Sequence, residues 1–227
     1  MKNIVVFSGA GMSAESGIKT FRDSDGLWEE YKIEDVATPM AWQRQPGVVL
    51  DFYNKRRAQI AQAQPNAAHK LVAELEKQFK VTVITQNIDD LHERAGSKNV
   101  VHLHGEIFKA RSSYDPTLLY SVTGDMQLGD KCEHGSQLRP NIVWFHEEVP
   151  LIPVAAKIIS KTDILIVIGT SLAVYPAAGL VDYSPHYSTK FLIDPKIPQE
   201  AALRNFKLIN KTASEGMKEV FALISEQ

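Results

Sequence analysis

The chain has 227 residues with 25 Lys and Arg against 27 Asp and Glu, a formal charge of −2, which excludes nucleic-acid binding held by bulk positive charge. Its 44% apolar and 23% charged composition is that of a globular protein with a core, and at about 150 residues per domain the length fits one large domain or one with a small insertion. A single cysteine, Cys132, excludes an internal disulfide framework and any all-cysteine zinc site.

In chain order, the strand candidates are Ile4–Ser8, Val81–Gln86, Val100–Leu103, Ile164–Gly169, Lys190–Asp194 and Phe206–Asn210. Most are apolar on successive positions, as in strands buried on both faces. Pro46–Gln62 reads as a helix opened by its proline. Asn66–Lys80 is amphipathic, with Ala67, Leu71, Leu75 and Phe79 at four-residue spacing, and Pro153–Lys161 and Glu215–Glu226 are also helical candidates. Short β runs alternating with helices predict an α/β fold, a Rossmann-like parallel sheet with helices on both faces. The rhythm breaks between Glu106 and Pro140, where Ser112, Ser113, Asp115, Pro116, Gly124, Gly129 and Gly135 crowd together. That density of turn formers predicts a small inserted module or long loop over 106–140, with 1–105 and 141–227 forming the main domain.

No membrane span is expected, because the longest apolar run, Ile164–Ile168, is far short of the roughly 18–20 residues a spanning helix needs. The apolar stretch behind Met1-Lys2-Asn3 is also shorter than a signal core of about 7–15 residues, so the expected compartment is the cytoplasm.

The first strand runs directly into Gly9-Ala10-Gly11-Met12-Ser13-Ala14, a G-x-G-x-x-A turn. Its first glycine allows a tight turn and its second lets a pyrophosphate approach the backbone, with N–H groups at a following helix start binding the anion. A purely structural turn has an equal claim on motif grounds. The acidic residue that an ordinary Rossmann oxidoreductase carries at the end of its second strand is not evident. Further polar groups gather at other strand ends: Gln86, Asn87 and Asp89, then His102-Leu103-His104-Gly105, then Gly169-Thr170-Ser171. In an open α/β sheet, ligands bind outside those ends.

Together with Glu15 to Arg22 and Gly26-Leu27-Trp28, these motifs make the chain resemble the sirtuins, NAD-dependent protein-lysine deacylases, over Gly9 to Ser214. The resemblance is to compact bacterial members. It implies that NAD is consumed as a co-substrate, yielding nicotinamide, free lysine and acylated ADP-ribose. His104 is then the general base that activates a ribose hydroxyl, in a catalytic set with Asn87. His102, two residues away and expected on the same strand face, has a core reading. The implied cofactor contacts are Gly9, Ala10, Gly11, Ala14, Glu15, Phe21, Arg22, Gln86, Asn87, Asp89, Gly169, Thr170, Ser171, Asp194 and Ala213. Amide and carboxylate side chains at a strand end suit a carboxamide and ribose hydroxyls, although Asn and Asp there also favour turns.

Val143-Trp144-Phe145 followed by Glu147 resembles the substrate-side loop, with Val143 and Phe145 against an extended peptide that adds as a strand opposite Leu172–Tyr175. Trp144 is equally readable as a core aromatic. The family usually has glycine where this chain has His146. Tyr53 and Arg56 stand at i and i+3 of a predicted helix, so a phenol and a guanidinium can face one pocket. Lys55 and Arg57 alongside allow the alternative of a solvated basic face. By resemblance to class III sirtuins, the pair implies succinyl- and malonyl-lysine as substrates, with some deacetylation.

Most sirtuins hold a structural zinc with two Cys-x-x-Cys pairs. The corresponding positions here are Ser112, Asp115, Cys132 and Gly135, so a structural zinc is not expected, and packing or loop hydrogen bonds are expected in its place. Asp194 also stands where asparagine is usual. The expected partners are acylated lysines of proteins, acting on a monomer, with no nucleic acid and no membrane. The alternatives are NAD-dependent mono-ADP-ribosyl transfer and a non-catalytic module that binds acyl-lysine or ADP-ribose.

Overall fold

The computed structural model describes residues 1–19, 27–28, 31–197 and 205–225. Strand β1 (Asn3–Ser8) leads into two 3-10 turns, Ala10–Met12 and Ala14–Ser16. The short antiparallel pair β2 (Leu27–Trp28) and β3 (Tyr31–Lys32) precedes helices α1 (Ile33–Val36), α2 (Pro39–Arg44), α3 (Pro46–Gln62) and α4 (Ala67–Leu75). Then come β4 (Lys80–Thr85), α5 (Leu91–Arg94), β5 (Val100–His102), β6 (Gly105–Ser112), β7 (Leu119–Ser121) and β8 (Leu138–Ile142). They are followed by α6 (Ile152–Ile159), β9 (Ile164–Ile168), a 3-10 segment Ala177–Tyr183, β10 (Thr189–Ile193), β11 (Phe206–Ile209) and α7 (Ala213–Ser225).

The six expected strands form one parallel sheet in the order β11-β10-β9-β1-β4-β5. Because side chains alternate along a strand, its continuous apolar runs fill two cores at once. Ile4, Val6, Val81, Val83, Ile164 and Ile166 face α4 and α7 through Val72, Leu75, Met217 and Val220. Val5, Phe7, Leu165, Val167 and Leu192 face α6 and the 3-10 segment through Ala155, Ile159, Leu180 and Val181. Each such large side chain taken fully out of water contributes about 1.5–3 kcal/mol, so the sheet is a rigid base for whatever its strand ends carry. Helix α3 spans the residues expected. Helix α4 is shorter than expected, capped by the Asn66 side chain at Ala68 N (2.9 Å) and ending before the turns that lead into β4.

Residues 105–142 hold a second sheet, antiparallel, in the order β7-β6-β8. The turn-rich composition hid these strands: β7 is three residues long, and the eight residues of β6 are mostly half-buried and include the polar Glu106, Lys109 and Arg111. Helix α3 packs on this small sheet and the loop after it, with Phe52, Tyr53 and Ile60 against Ile107, Ile142 and Trp144, and Leu50 against Ala110 and Met126. Among the described residues no helix is long and apolar enough to cross a membrane.

Candidate functional site

A cleft of about 480 Å³ opens where the parallel strands end. Gly9, Ala10, Gly11, Ala14, Glu15, Gln86, Asn87, Asp89, His104, Gly169, Thr170, Ser171, Asp194 and Ala213 line it, and Tyr53, Arg56, Val143 and Phe145 line its other part. The structure therefore gathers every candidate named from sequence except Phe21 and Arg22, which lie outside the described residues.

The glycine turn differs from expectation in two ways. No α-helix starts behind it; the chain makes only the two 3-10 turns, so the dipole of a long helix is not available there. The glycines also have an internal reason to be glycines. A Cβ on Gly9 would lie 2.7 Å from Thr170 Cβ, and one on Gly11 would lie 2.8 Å from Gly169 Cα. Backbone bonds from Gly9 N to Ile168 O (3.1 Å) and Gly11 N to Gly169 O (2.8 Å) knit the two loops together. The turn is thus one half of a two-loop wall whose other half is Gly169 to Ser171.

The floor beside that wall is a buried polar chain. Asn87 Nδ2 donates to Ser13 Oγ (3.1 Å), and Ser13 Oγ donates to Asp89 Oδ2 (2.9 Å), whose other oxygen accepts from Leu91 N (3.2 Å). Burial raises the Asp89 carboxyl above its usual range, against the lowering effect of those hydrogen bonds. Gln86 Nε2 donates to Thr170 Oγ1 (3.1 Å), tying the β4 end to the β9 end. Ser13 was not singled out from the sequence, where only the glycines and the alanine of its motif were weighed. Its small hydroxyl in the tight turn was the available signal. Glu15 points the other way: its carboxylate accepts from Ser214 N (2.8 Å) and Thr212 Oγ1 (3.3 Å), capping the start of α7 beside Ala213. Asp194 is buried and accepts from Lys196 N (2.8 Å).

His102, the last residue of β5, and His104 beyond it do not share a strand face, contrary to the two-residue spacing argument, because the strand ends at His102 and the chain turns. His102 lies against Glu93 Oε1 (2.7 Å) and Asn87 O (3.0 Å). Burial opposes its charge, but Glu93 and the Asn87 carbonyl outweigh it and raise its pKa. Among the described residues His104 has one hydrogen-bond partner, Gln86 O, at 3.0 Å from Nδ1. A carbonyl only accepts, so Nδ1 carries the hydrogen and Nε2 presents a lone pair. Burial lowers the His104 pKa, so the ring is neutral near pH 7. Gly105 has φ +85°, and a Cβ there would meet Asn141 O at 2.0 Å, so only glycine lets β6 start immediately after His104.

On the far side, Tyr53 is fully buried at the cleft wall and Arg56 is 4% exposed. Arg56 Nη1 donates to Gln59 Oε1 (2.9 Å) and Nη2 to Lys19 O (3.3 Å). The solvated basic face does not form. Only Lys55 is exposed, paired with Asp51 at 2.7 Å, while Arg57 is buried and donates to Ile107 O (2.9 Å), Asn54 Oδ1 (2.8 Å) and Gly124 O (3.1 Å). Trp144 is buried as a core aromatic, Phe145 is 39% exposed, and His146 has φ +71°. Glu147 anchors this loop: it accepts from Trp144 N (2.8 Å) and pairs with Arg139 (2.7 Å) and Arg111 (3.3 Å).

The positions equivalent to zinc ligands are knitted by hydrogen bonds. Ser112 Oγ accepts from Tyr114 N and Asp115 N (both 3.2 Å) and from Cys132 Sγ (3.5 Å), while Gly135 N donates to Cys132 O (2.9 Å). Asp115 is turned to Thr117 (2.6 Å), and among the described residues no three His, Cys, Asp or Glu side chains gather as a metal-binding group.

The two-loop wall, the polar floor and His104 all face one cleft. The Sir2 family profile matches residues 9–176. The chain belongs to the Sir2 family. A relative from Bacteroides thetaiotaomicron, named NAD-dependent protein deacylase, is 53% identical over 99% of this chain and 98% of its own. A solved complex of a Sir2 homologue variant with ADP-ribose superposes with a TM-score of 0.90 at 38% identity, covering 99% of this chain and 92% of that one. A Sir2 homologue complexed with NAD gives a TM-score of 0.87 at 39% identity, over 99% and 90% of the two chains. In this Sir2 chain a serine-centred hydrogen-bond knot occupies the positions where the sequence resemblance placed zinc ligands.

Proposed function

We propose that this chain is an NAD-consuming protein-lysine deacylase that prefers acidic acyl groups, succinyl and malonyl, over acetyl. The observation that carries the reading is the placement of His104: a half-buried imidazole whose Nδ1 lies 3.0 Å from Gln86 O, so that Nε2 faces a cleft lined by the Gly9–Gly11 turn, Asn87 and Asp89. The deacylase names of near-full-length relatives and the NAD and ADP-ribose complexes of structural neighbours support it.

The donor set fits a dinucleotide: two glycine loops form a smooth wall for phosphates, Ser13, Asn87 and Asp89 offer donors and acceptors to a ribose and carboxamide, and Asp194 and Ala213 stand at the far end. Bound NAD would supply an electrophilic ribose carbon for the acyl-lysine amide oxygen, with nicotinamide leaving and the acyl group ending on ADP-ribose. His104 Nε2 accepts the proton of a ribose hydroxyl, and the Gln86 carbonyl steadies the charged ring that results. Asn87 and Asp89 orient their partners without changing protonation, since each is locked through Ser13. Val143 and Phe145 flank an extended peptide, and Tyr53 and Arg56 meet the end of the acyl chain.

The experiment is incubation with NAD and a panel of acetyl-, malonyl- and succinyl-lysine peptides, read by mass spectrometry. The expected result is loss of the acyl mass with stoichiometric nicotinamide release, fastest for the acidic groups. No NAD-dependent mass loss on any peptide would sink the reading.

A further inference from the structure

Tyr53 is fully buried, yet it stands at the cleft wall one helical turn from Arg56. Its hydroxyl has one described partner, the indole of Trp144, whose Nε1 lies 3.0 Å away across 91 residues of chain. An indole N–H donates and cannot accept. Tyr53 Oη must therefore be the acceptor in that bond, which leaves the phenol its own hydrogen to give elsewhere. Among the described residues no acceptor is hydrogen-bonded to it. Burial pushes the phenol's pKa up, so that hydrogen stays on the oxygen at any working pH.

The indole is itself held from the small sheet. The Trp144 backbone N–H donates to Glu147, and the Arg139 guanidinium lies 3.2 Å above the ring centroid. Arg139 is fixed by Glu147 (2.7 Å) and by Ile142 O (2.8 Å). On its other side Tyr53 packs edge-on against Phe52, with ring centroids 5.0 Å apart. The phenol thus has neither rotational freedom of its ring nor a choice of hydrogen-bond role.

We propose that Trp144 is a specificity-positioning residue, whose indole N–H commits the Tyr53 hydroxyl to act as a donor toward an acidic acyl terminus beside Arg56. The proposal rests on the acidic-acyl reading above. A carboxylate only accepts, so it matches a phenol that can only donate and a guanidinium that can only donate. An acetyl methyl group uses neither. Removing the indole N–H would free Tyr53 to rotate its hydrogen toward other acceptors, and the discrimination would weaken although Tyr53 and Arg56 remain.

The test compares wild type, Trp144→Phe, Tyr53→Phe and the double variant of the full chain, each assayed with NAD on succinyl- and acetyl-lysine peptides of one sequence. In Trp144→Phe the ratio of succinyl to acetyl kcat/KM should fall about five- to tenfold, the effect of one ordinary uncharged hydrogen bond, with the loss in succinyl KM rather than kcat. The double variant should discriminate no worse than Tyr53→Phe. A Trp144→Phe ratio equal to wild type, or additive losses in the double variant, would overturn the proposal. A wild type without succinyl or malonyl turnover would instead overturn the acidic-acyl reading and the proposal with it. If Trp144→Phe does not fold, the wild type suffices. Its three tryptophans give three indole N–H signals, assigned through Trp28→Phe and Trp42→Phe. Without NAD, succinyl-lysine peptide should shift the Trp144 signal and acetyl-lysine peptide should not; equal responses overturn the proposal.

Discussion

The two halves of the cleft are built by different means. In the half proposed to hold the cofactor, short polar side chains following β1, β4 and β9 bond to one another: Ser13 to Asp89, Asn87 to Ser13, Gln86 to Thr170. In the half proposed to meet the acyl group, Tyr53 and Arg56 come from a helix outside the parallel sheet, and the groups behind them are charged: Arg139, Arg111 and Glu147 of the small sheet and its following loop. A parallel sheet brings strand ends together as a consequence of its topology, so the first half needs only short side chains. The second half has no such frame, and its shape depends on an ion pair clamped over an indole. Chemistry is therefore expected to fail when the first half is changed and selectivity when the second is.

The largest effect should come from His104→Ala. Loss of a positioned base costs about 10²- to 10⁴-fold. Acyl transfer measured by mass spectrometry should fall by that amount on acetyl and succinyl peptides alike, while NAD affinity measured by calorimetry changes little, since the described partner of His104 is a main-chain carbonyl. A loss confined to one acyl class would move His104 into the selectivity half.

Beneath the cofactor half lies a second neutral layer. His92 Nε2 is 3.0 Å from Ser8 Oγ, which donates to Thr85 Oγ1 (2.9 Å), and Thr85 accepts the Asn87 N–H (3.0 Å). His69 lies against His92 with ring centroids 4.9 Å apart, and both its ring nitrogens are buried with no hydrogen-bond partner among the described residues. Burial lowers the His69 pKa from 6.5 to about 4, with Glu93 acting weakly the other way, and pushes His92 well below its usual range with help from His69 and His102. Because the folded value is depressed, the stability His69 contributes is present above pH 6.5 and is lost as pH falls toward 4, a change of about 3 kcal/mol. His102 has the opposite sign: its pKa is raised, so its contribution is present at low pH and lost as pH rises through that value. Urea unfolding between pH 7 and 4 should show the loss, and His69→Leu should flatten it. An unchanged slope would mean the pair is not buried neutral.

Arg56→Met should come next. Hydrogen bonds to charged groups contribute about 1.5–3 kcal/mol, so succinyl-peptide kcat/KM should fall about 10- to 150-fold relative to acetyl. If both fall alike, Arg56 serves the fold through Gln59 and Lys19 and not the acyl group.

The same division explains what could be read from the chain alone. Strand ends were legible, because a polar residue or a glycine after an apolar run marks both the end of the strand and the mouth of the cleft: Gln86, Gly169 and Asp194 follow this rule. Tyr53 and Arg56 were legible through their helical spacing. The bonds between the halves' residues were not, since Ser13 and Asp89 are 76 positions apart and Trp144 and Tyr53 are 91 apart. Arg57 misled for a related reason: a guanidinium beside Lys55 reads as solvated until β6 supplies the Ile107 carbonyl that buries it. The glycine turn was located correctly but given too simple a cause, because its steric partner, Gly169, lies on a distant strand end.

The smallest effect tests whether the acyl half depends on its loop or on the clamp behind it. His146, at φ +71°, occupies the left-handed region where the resemblance leads one to expect glycine. A side chain there costs about 1–2 kcal/mol, less for His than for branched residues. Glycine would relieve that strain but returns about 0.5–1 kcal/mol through the freedom it gains in the unfolded chain. His146→Gly should therefore raise stability by only about 0.5 kcal/mol, a shift of about 1–2 °C in Tm for a chain of this size. The succinyl-to-acetyl ratio should be nearly unaltered, because Trp144 and Glu147 remain clamped by Arg139. His146→Val, branched at the same φ, should lower Tm instead. If His146→Gly loosens the ratio while Tm rises, the loop backbone and not the ion pair sets the acyl half, and the contrast between the two halves is weaker than the hydrogen bonds suggest.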